Sequence, residues 1–456
     1  MKEKELKINE KTSLFHLTWP IFIESLLAML IGNIDSLMLS NYSETAVGGI
    51  GNANQILYFL TLAFSIIASA SGVVVAQYLG AKLKDKISEI YTVSIFFNLV
   101  ISGIVSLIIF LFSSTIFKIM KVPQELLPDA TSYMKILGGF IFLQALFNVF
   151  AQIFRSNGLT KVGMYISLSV NILNIIGNYI FLYGPLSFLD LGVTGVAISS
   201  VFSRFIAVII AIYFFIKHIE GTISLKYLRP FPISTLKKLL RIGIPTAGES
   251  ISYSISQLFI MSFVNVLGLV AVNAKVYSSL LSNFCYLYST SVAQATQIIV
   301  GHCVGGGNED GAYRRVLKTL KAAIVISVII ATLMYFISPY ALRIFTRNPE
   351  ILDLGSKVMF IGIILEIGRS TNLVIINSMR AAGDIKFPTY LGMASMWGIS
   401  VLFSYIFGIK LGLGLVGIWI AMAMDECIRG IIVFIRWKKG TWRGKSVVTK
   451  VNTISQ

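Results

Sequence analysis

Charge is scarce in this chain. Only 13% of its 456 residues are charged, acids number 21 against 38 lysines and arginines, and there are three cysteines and three histidines. Cys285, Cys303 and Cys427 are odd in number and lack ligand spacing, which excludes a disulfide framework and a cysteine metal site and leaves free thiols. His16, His218 and His302 lie far apart, all near expected membrane edges, so no metal triad emerges. Gly305-Gly306-Gly307-Asn308 lacks the Lys-Ser/Thr of a phosphate loop, and no ATPase motif appears elsewhere. No nucleophile with a base at one depth is visible, so an enzyme is not expected. A receptor or scaffold would need a soluble domain or long structured loops, and neither is present.

What the chain does have is apolar surface. It is 55% hydrophobic with a mean hydropathy of +0.80, beyond what a soluble domain of this length carries. The apolar stretches exceed the roughly 20 residues that span a bilayer as helix, and their lengths exclude an outer-membrane barrel. The fold expected is all-α and polytopic, with twelve transmembrane helices near 14–40, 48–78, 89–117, 131–154, 162–184, 192–216, 239–267, 271–302, 315–345, 353–379, 388–409 and 412–436.

The net charge of +17 would point to nucleic acid in a soluble protein; here it is a matter of topology, and no nucleic-acid partner is expected. With a cytoplasmic N-terminus, 27 lysines and arginines fall in cytoplasmic segments and 8 outside. The positive-inside rule therefore puts both termini in the cytoplasm. The first apolar segment is too long for a signal peptide and lacks a small-residue cleavage site, so no cleavage is expected.

The chain is internally duplicated. Pro20 and Pro245 open apolar segments 225 residues apart, and the same shift overlays Glu24 on Glu249, Arg155 on Arg380, Gly158 on Gly383 and Gly80 on Gly305. Gly192-Val-Thr-Gly195 matches Gly414-Leu-Val-Gly417 with a shift of 222. Six spans per half make the repeat parallel, about an axis along the membrane normal, and direct the substrate path between the halves. The expected organisation is an N-terminal six-helix lobe over 1–216, a cytoplasmic linker over 217–241 and a C-terminal lobe over 242–456.

Two polar clusters carry the chemistry. Asp35 lies four or five residues before the polar turn Asn41-Tyr42-Ser43, about 6 to 9 Å inside the outer edge. In the fifth span Asn174 and Asn178 share a face at i,i+4, at matching depth, with Asn171 nearby. A carboxylate there costs a few kcal/mol unless it is hydrogen bonded or binds a cation. Carboxylate and amide oxygens suit a proton or a sodium ion.

The second cluster is Glu249 with Arg369, placed at similar depths from the cytoplasmic edge, and with Glu366 three residues before Arg369. In the first half the shift of 225 gives Glu24 with Gln144, so Glu24 has no evident cation and is the better candidate for transport-linked protonation. Asp425 and Arg429 are spaced as a local ion pair, while Glu426 and Arg204 also fall within spans. Tyr58, Tyr253 and Tyr277 are candidates to line a cavity and attract an organic cation through their ring faces.

At these residues the chain resembles the multidrug and toxic compound extrusion (MATE) family. The resemblance is carried by Pro20 followed by Asp35-Ser36-Leu37-Met38-Leu39, by Ala76-Gln77-Tyr78-Leu79-Gly80-Ala81 and by Phe154-Arg155-Ser156-Asn157-Gly158. Asn174-Ile-Ile-Gly-Asn178 before Leu182-Tyr183-Gly184, and Met379-Arg380-Ala-Ala-Gly383-Asp384, extend it over nearly the whole chain. It implies two six-helix bundles, a central cavity, and export of amphipathic, often cationic compounds in exchange for protons or sodium. It also implies that Asp35, Asn174 and Asn178 form an N-lobe cation site, with Ser199 or Ser200 as a hydroxyl neighbour. Many relatives have an acid where this chain has Asn178. In the sodium-coupled NorM-like branch acids stand where Tyr253 is, and near Arg369.

The expectation is a cation-coupled antiporter of the plasma membrane, a monomer among lipids, exporting drug-like organic cations without a cofactor and with H+ or Na+ as coupling ion. The alternative is a flippase for a lipid-linked carbohydrate, which would line its cavity with several free Arg or Lys to hold phosphate.

Overall fold

The computed structural model describes residues 8–40 and 44–448, and among them only helices, turns and bends occur. The turn Asn41-Tyr42-Ser43 lies outside the described residues. In a bilayer each backbone donor and acceptor needs an internal partner, and a long apolar helix meets that need within its own segment. The first half comprises α1 (Leu14–Ser40), α2 (Glu44–Gly80), α3 (Lys84–Ile119), α4 (Gln124–Gly138 with Phe142–Ser156), α5 (Thr160–Leu182) and α6 (Gly192–His218). The second comprises α7 (Ile233–Val266), α8 (Leu269–Gly305), α9 (Glu309–Ala341), α10 (Pro349–Ala381), α11 (Lys386–Lys410) and α12 (Gly414–Lys438). The protein is a twelve-helix membrane protein.

Six of these helices (α2, α3, α5, α6, α9 and α11) are long and apolar enough to cross a membrane by length and composition, and the broken α4 makes a seventh. Of the others, α7, α10 and α12 are more polar because Glu249, Glu366 and Asp425 sit within them, each turned into the protein. The bend of 44° between the two parts of α4 has a local cause. Gly138 and Gly139 let α3 press against the backbone: a Cβ on Gly139 would lie 2.9 Å from the Phe110 ring. The turn before it is π-helical over Met134–Gly138, and α11 has two further π segments, Met396–Val401 and Ile406–Lys410.

The described residues divide into two compact units, one within 19–243, the other of 8–18 and 244–448. Each has its own apolar core, around Ile50, Phe117 and Tyr133 in the first and around Ile260, Val358 and Trp419 in the second. Their limits fall beside Pro20 and Pro245, which sit inside α1 and α7 and each remove one donor from the helical ladder. The start of α7 is held in the first unit, where Thr235 donates to Glu89 and Lys238 donates to the Tyr78 hydroxyl at 2.8 Å. The segment before α1 is held in the second, where Arg314 reaches Glu10 at 3.1 Å.

Candidate functional site

In the first unit Asp35 is buried on α1, facing α5. Asn178 donates through Nδ2 to Asp35 Oδ1 at 2.6 Å, and the same amide lies 3.4 Å from Asn174 Oδ1. Asn174 in turn donates to Ser200 Oγ at 2.9 Å, while the Ser199 hydroxyl donates to the Asn174 carbonyl at 3.1 Å. Both asparagines are fully buried, as their i,i+4 spacing on one helix face requires. Gly177 brings α6 this near, since a Cβ there would stand 3.0 Å from Ser199 Cβ. Ser200 is thus the hydroxyl that meets an asparagine side chain, and Ser199 meets backbone. Asn171 donates to the Ser167 carbonyl and stands apart from this chain of bonds.

Among the described residues Asn178 Oδ1 is buried without a hydrogen-bond partner. A buried orphan acceptor beside a carboxylate is a costly arrangement unless a proton or cation completes it. The cluster can therefore offer carboxylate and amide oxygens to one small positive species. Tyr133 of α4 and Arg204 of α6 lie within electrostatic range of Asp35. Tyr133 had no sequence signal, because a lone tyrosine in a span reads as packing.

The charged residues pair differently from the sequence expectation. Glu24 does have a cation: Arg155 Nη2 lies 2.8 Å from its Oε1 and Nε 3.3 Å from its Oε2. Glu249 pairs with Arg380 and not with Arg369. Both arginines close their helices, in the last turns of α4 and α10, and long side chains reach back from there to buried acids. The two pairs have the same separation of 131 residues. Gly163 and Gly392 admit the carboxylates closely, a Cβ on either lying 3.0 Å from the nearer oxygen. Gln144 donates to Asn148 at 2.9 Å and belongs to neither pair.

Arg369 is held by Glu366 on its own helix and stands 5.8 Å over the Tyr286 ring. Beside it Arg429 pairs with Glu426 at 2.9 Å and with Asp425 at 3.4 Å, Ser395 donates to Asp425, and Asn372 donates to Glu426 Oε2 at 2.6 Å. Tyr253, Gln257, Arg369, Asp425 and Glu426 line a small pocket in this unit. Of the other tyrosines, Tyr58 is exposed with its edge to Phe59, and Tyr277 stacks on Phe345 at 5.1 Å. Cys285 and Cys303 are buried free thiols, and Cys427 is half-buried.

A family model described as MatE matches residues 20–180 and again 245–406. The chain is 42% identical over 435 residues to a Bacillus subtilis protein described as the uncharacterized transporter YisQ, covering 95% of this chain and 96% of that one. It is 23% identical over 441 residues to the probable multidrug resistance protein NorM of Thermotoga maritima, covering 96% and 95%. Among solved structures, a MATE protein in a bent conformation superposes with a TM-score of 0.89 at 19% identity, covering 97% of this chain and 98% of that one.

Proposed function

The chain belongs to the MatE family of membrane transporters, and from that premise we propose that it is a cation-coupled antiporter exporting small amphipathic or cationic organic compounds. The observation that carries this reading is Asp35, a carboxylate withdrawn from solvent onto the Asn178 amide beside an orphan acceptor oxygen. Such a group is retained at an energetic cost, and binding a proton or sodium ion would offset it.

In the proposed cycle the coupling ion enters from outside and neutralises Asp35. Asn178 then loses a charged acceptor, and its contacts with Asn174, and through Asn174 with Ser200 and the Ser199 hydroxyl, repack. Substrate leaves because its affinity differs between the two arrangements, which is the only means by which an ion can drive release. Glu24 and Glu249 each sit in an ion pair and have the weaker claim to coupling. Tyr253 lines a polar pocket and is the first candidate for contact with substrate. In this proposal the protein sits in the plasma membrane as a monomer without a cofactor, and the distribution of its basic residues supports cytoplasmic termini.

The flippase reading loses ground on Arg369, which is already paired with Glu366; Arg204 forms no ion pair among the described residues, and one such arginine falls short of the several that would hold phosphate. Efflux of ethidium from proteoliposomes under an imposed proton or sodium gradient tests the proposal. Wild-type protein should respond to one of the gradients and Asp35→Asn should lose that response; transport by Asp35→Asn at the normal rate and coupling would sink it.

A further inference from the structure

The linker leaves α6 as the C-terminal tail leaves α12, so the repeat makes the two segments equivalent, yet they are built in opposite ways. Each lies against the start of an equivalent helix, the linker on α3 and the tail on α9. In the tail the charges are answered: Arg443 pairs with Asp310 at 2.7 Å, Lys445 with Asp384 at 2.7 Å, and Gly444 donates its amide to Glu309 at 2.9 Å. Its Trp442 is buried against Trp437. The linker is fastened by its backbone, Thr222 donating to Ser88 Oγ at 3.1 Å and Ser224 to Thr92 Oγ1 at 3.2 Å. Lys226, Arg229, Lys237 and Arg241 are exposed, and among the described residues no acid pairs with any of them. Over 217–241 Glu220 is the only acid against six lysines and arginines, so the segment cannot neutralise itself as the tail does.

Ile223, Leu225, Phe231 and Ile233 are exposed along the same stretch, Leu225 at 73%. Ile223 and Leu225 flank Ser224, which meets α3 eight residues, or about 12 Å, beyond its first residue. One turn further on, α3 exposes Phe96, then Leu99 and Val100, as a span facing lipid does. The linker thus returns along α3 to the level at which the protein surface turns apolar. We propose that it is a binding site for anionic phospholipid, on the cytoplasmic side in the orientation proposed above. Lys226 and Arg229, with Lys237 and Arg241 on one face of α7 at i,i+4, take the phosphates, and Ile223 and Leu225 enter the acyl region. A soluble anion would answer the cations but leave those apolar side chains in water; a phospholipid meets both. The inference is independent of Asp35 and of the coupling ion.

The test titrates purified full-length protein in detergent with phosphatidylglycerol, phosphatidylcholine or glycerol phosphate and follows the bound species by native mass spectrometry. Wild-type protein should prefer phosphatidylglycerol to both of the others. Lys226→Gln with Arg229→Gln, and separately Lys237→Gln with Arg241→Gln, should weaken that binding by about fivefold for each charge removed. Either pair suffices should the other fail to fold. Ile223→Ser with Leu225→Ser should weaken it as well, while Arg443→Gln with Lys445→Gln in the tail should leave it unchanged. Phosphatidylglycerol binding unmoved in a folded charge variant overturns the site. Glycerol phosphate bound as tightly as the lipid, or no loss in the serine variant, would mark a site for a soluble anion and overturn the lipid assignment; an equal loss in the tail variant would overturn its location.

Discussion

Glu24 and Glu249 are withdrawn from solvent, at 5% and 8% exposure, each against an arginine that closes another helix. A buried ion pair adds little to stability over an apolar pair of similar volume, but removal of one partner strands the other charge. Arg155→Gln should therefore cost about 3–5 kcal/mol, while Glu24→Gln combined with Arg155→Gln should recover much of the loss. Thermal unfolding in detergent measures both, and a double variant no better than the single would show that the pair is not the source of the effect. The carboxylates were legible at this scale because the repeat put them at one register. Their partners were not, since residue depth counted along a helix ignores how far an arginine side chain reaches. Asp35, Asn174 and Asn178 were legible from spacing and depth, and Tyr133 was invisible because nothing local distinguishes it from a packing aromatic.

The helices themselves were legible from apolar length, with ends displaced by a few residues. The exceptions are α4, and α7 and α9, which each begin six residues before their expected starts. The break in α4 arises from close approach of Ile109 and Phe110 to a glycine pair, and the early start of α7 from tertiary bonds of Thr235 and Lys238, neither of which has a hydropathy signal. Helix ends carry a second regularity. After Arg155 and Arg380 the chain leaves α4 and α10 through Gly158 at φ +79° and Gly383 at φ +93°. There Gly158 donates to the Arg155 carbonyl and Gly383 to that of Arg380, with Leu159 and Asp384 reaching back to Phe154 and Met379. Left-handed backbone favours glycine at such a stop. Gly158→Ala should cost about 1–2 kcal/mol. Gly383→Ala should cost about 3 kcal/mol or more, because its Cβ would also meet the Lys445 carbonyl. That carbonyl belongs to a docked tail in which Trp442 stacks on Trp437 at 4.2 Å and Lys445 pairs with Asp384 at 2.7 Å. The expected signature is a lower melting temperature with faster trypsin cleavage at Arg443 and Lys445 for Gly383→Ala alone; equal losses for the two variants would refute the role of the tail.

For the whole molecule, the family model matches the chain twice, its two matches starting 225 residues apart, as Pro20 and Pro245 do. Less legible was where the units meet the chain, because residues 8–18 and 233–243 are each held in the unit that the other half mainly forms. The repeat accounts for this too: a shift of 225 carries Glu10 onto Thr235 and Glu89 onto Arg314, so the two anchoring contacts are equivalent although their chemistry differs. Orientation rests on charge alone. With 27 basic residues assigned to one side and 8 to the other, reversing the chain would require moving the larger set outward against the positive-inside bias. In a variant with Cys285, Cys303 and Cys427 replaced by serine, single cysteines at the exposed positions Lys118 and Lys410 should react with a membrane-impermeant maleimide on intact cells. Cysteines at the exposed Lys386 and Lys439 should react only after permeabilisation. The opposite pattern would invert the topology, move Asp35 to the cytoplasmic side and remove the route by which an external ion reaches it first.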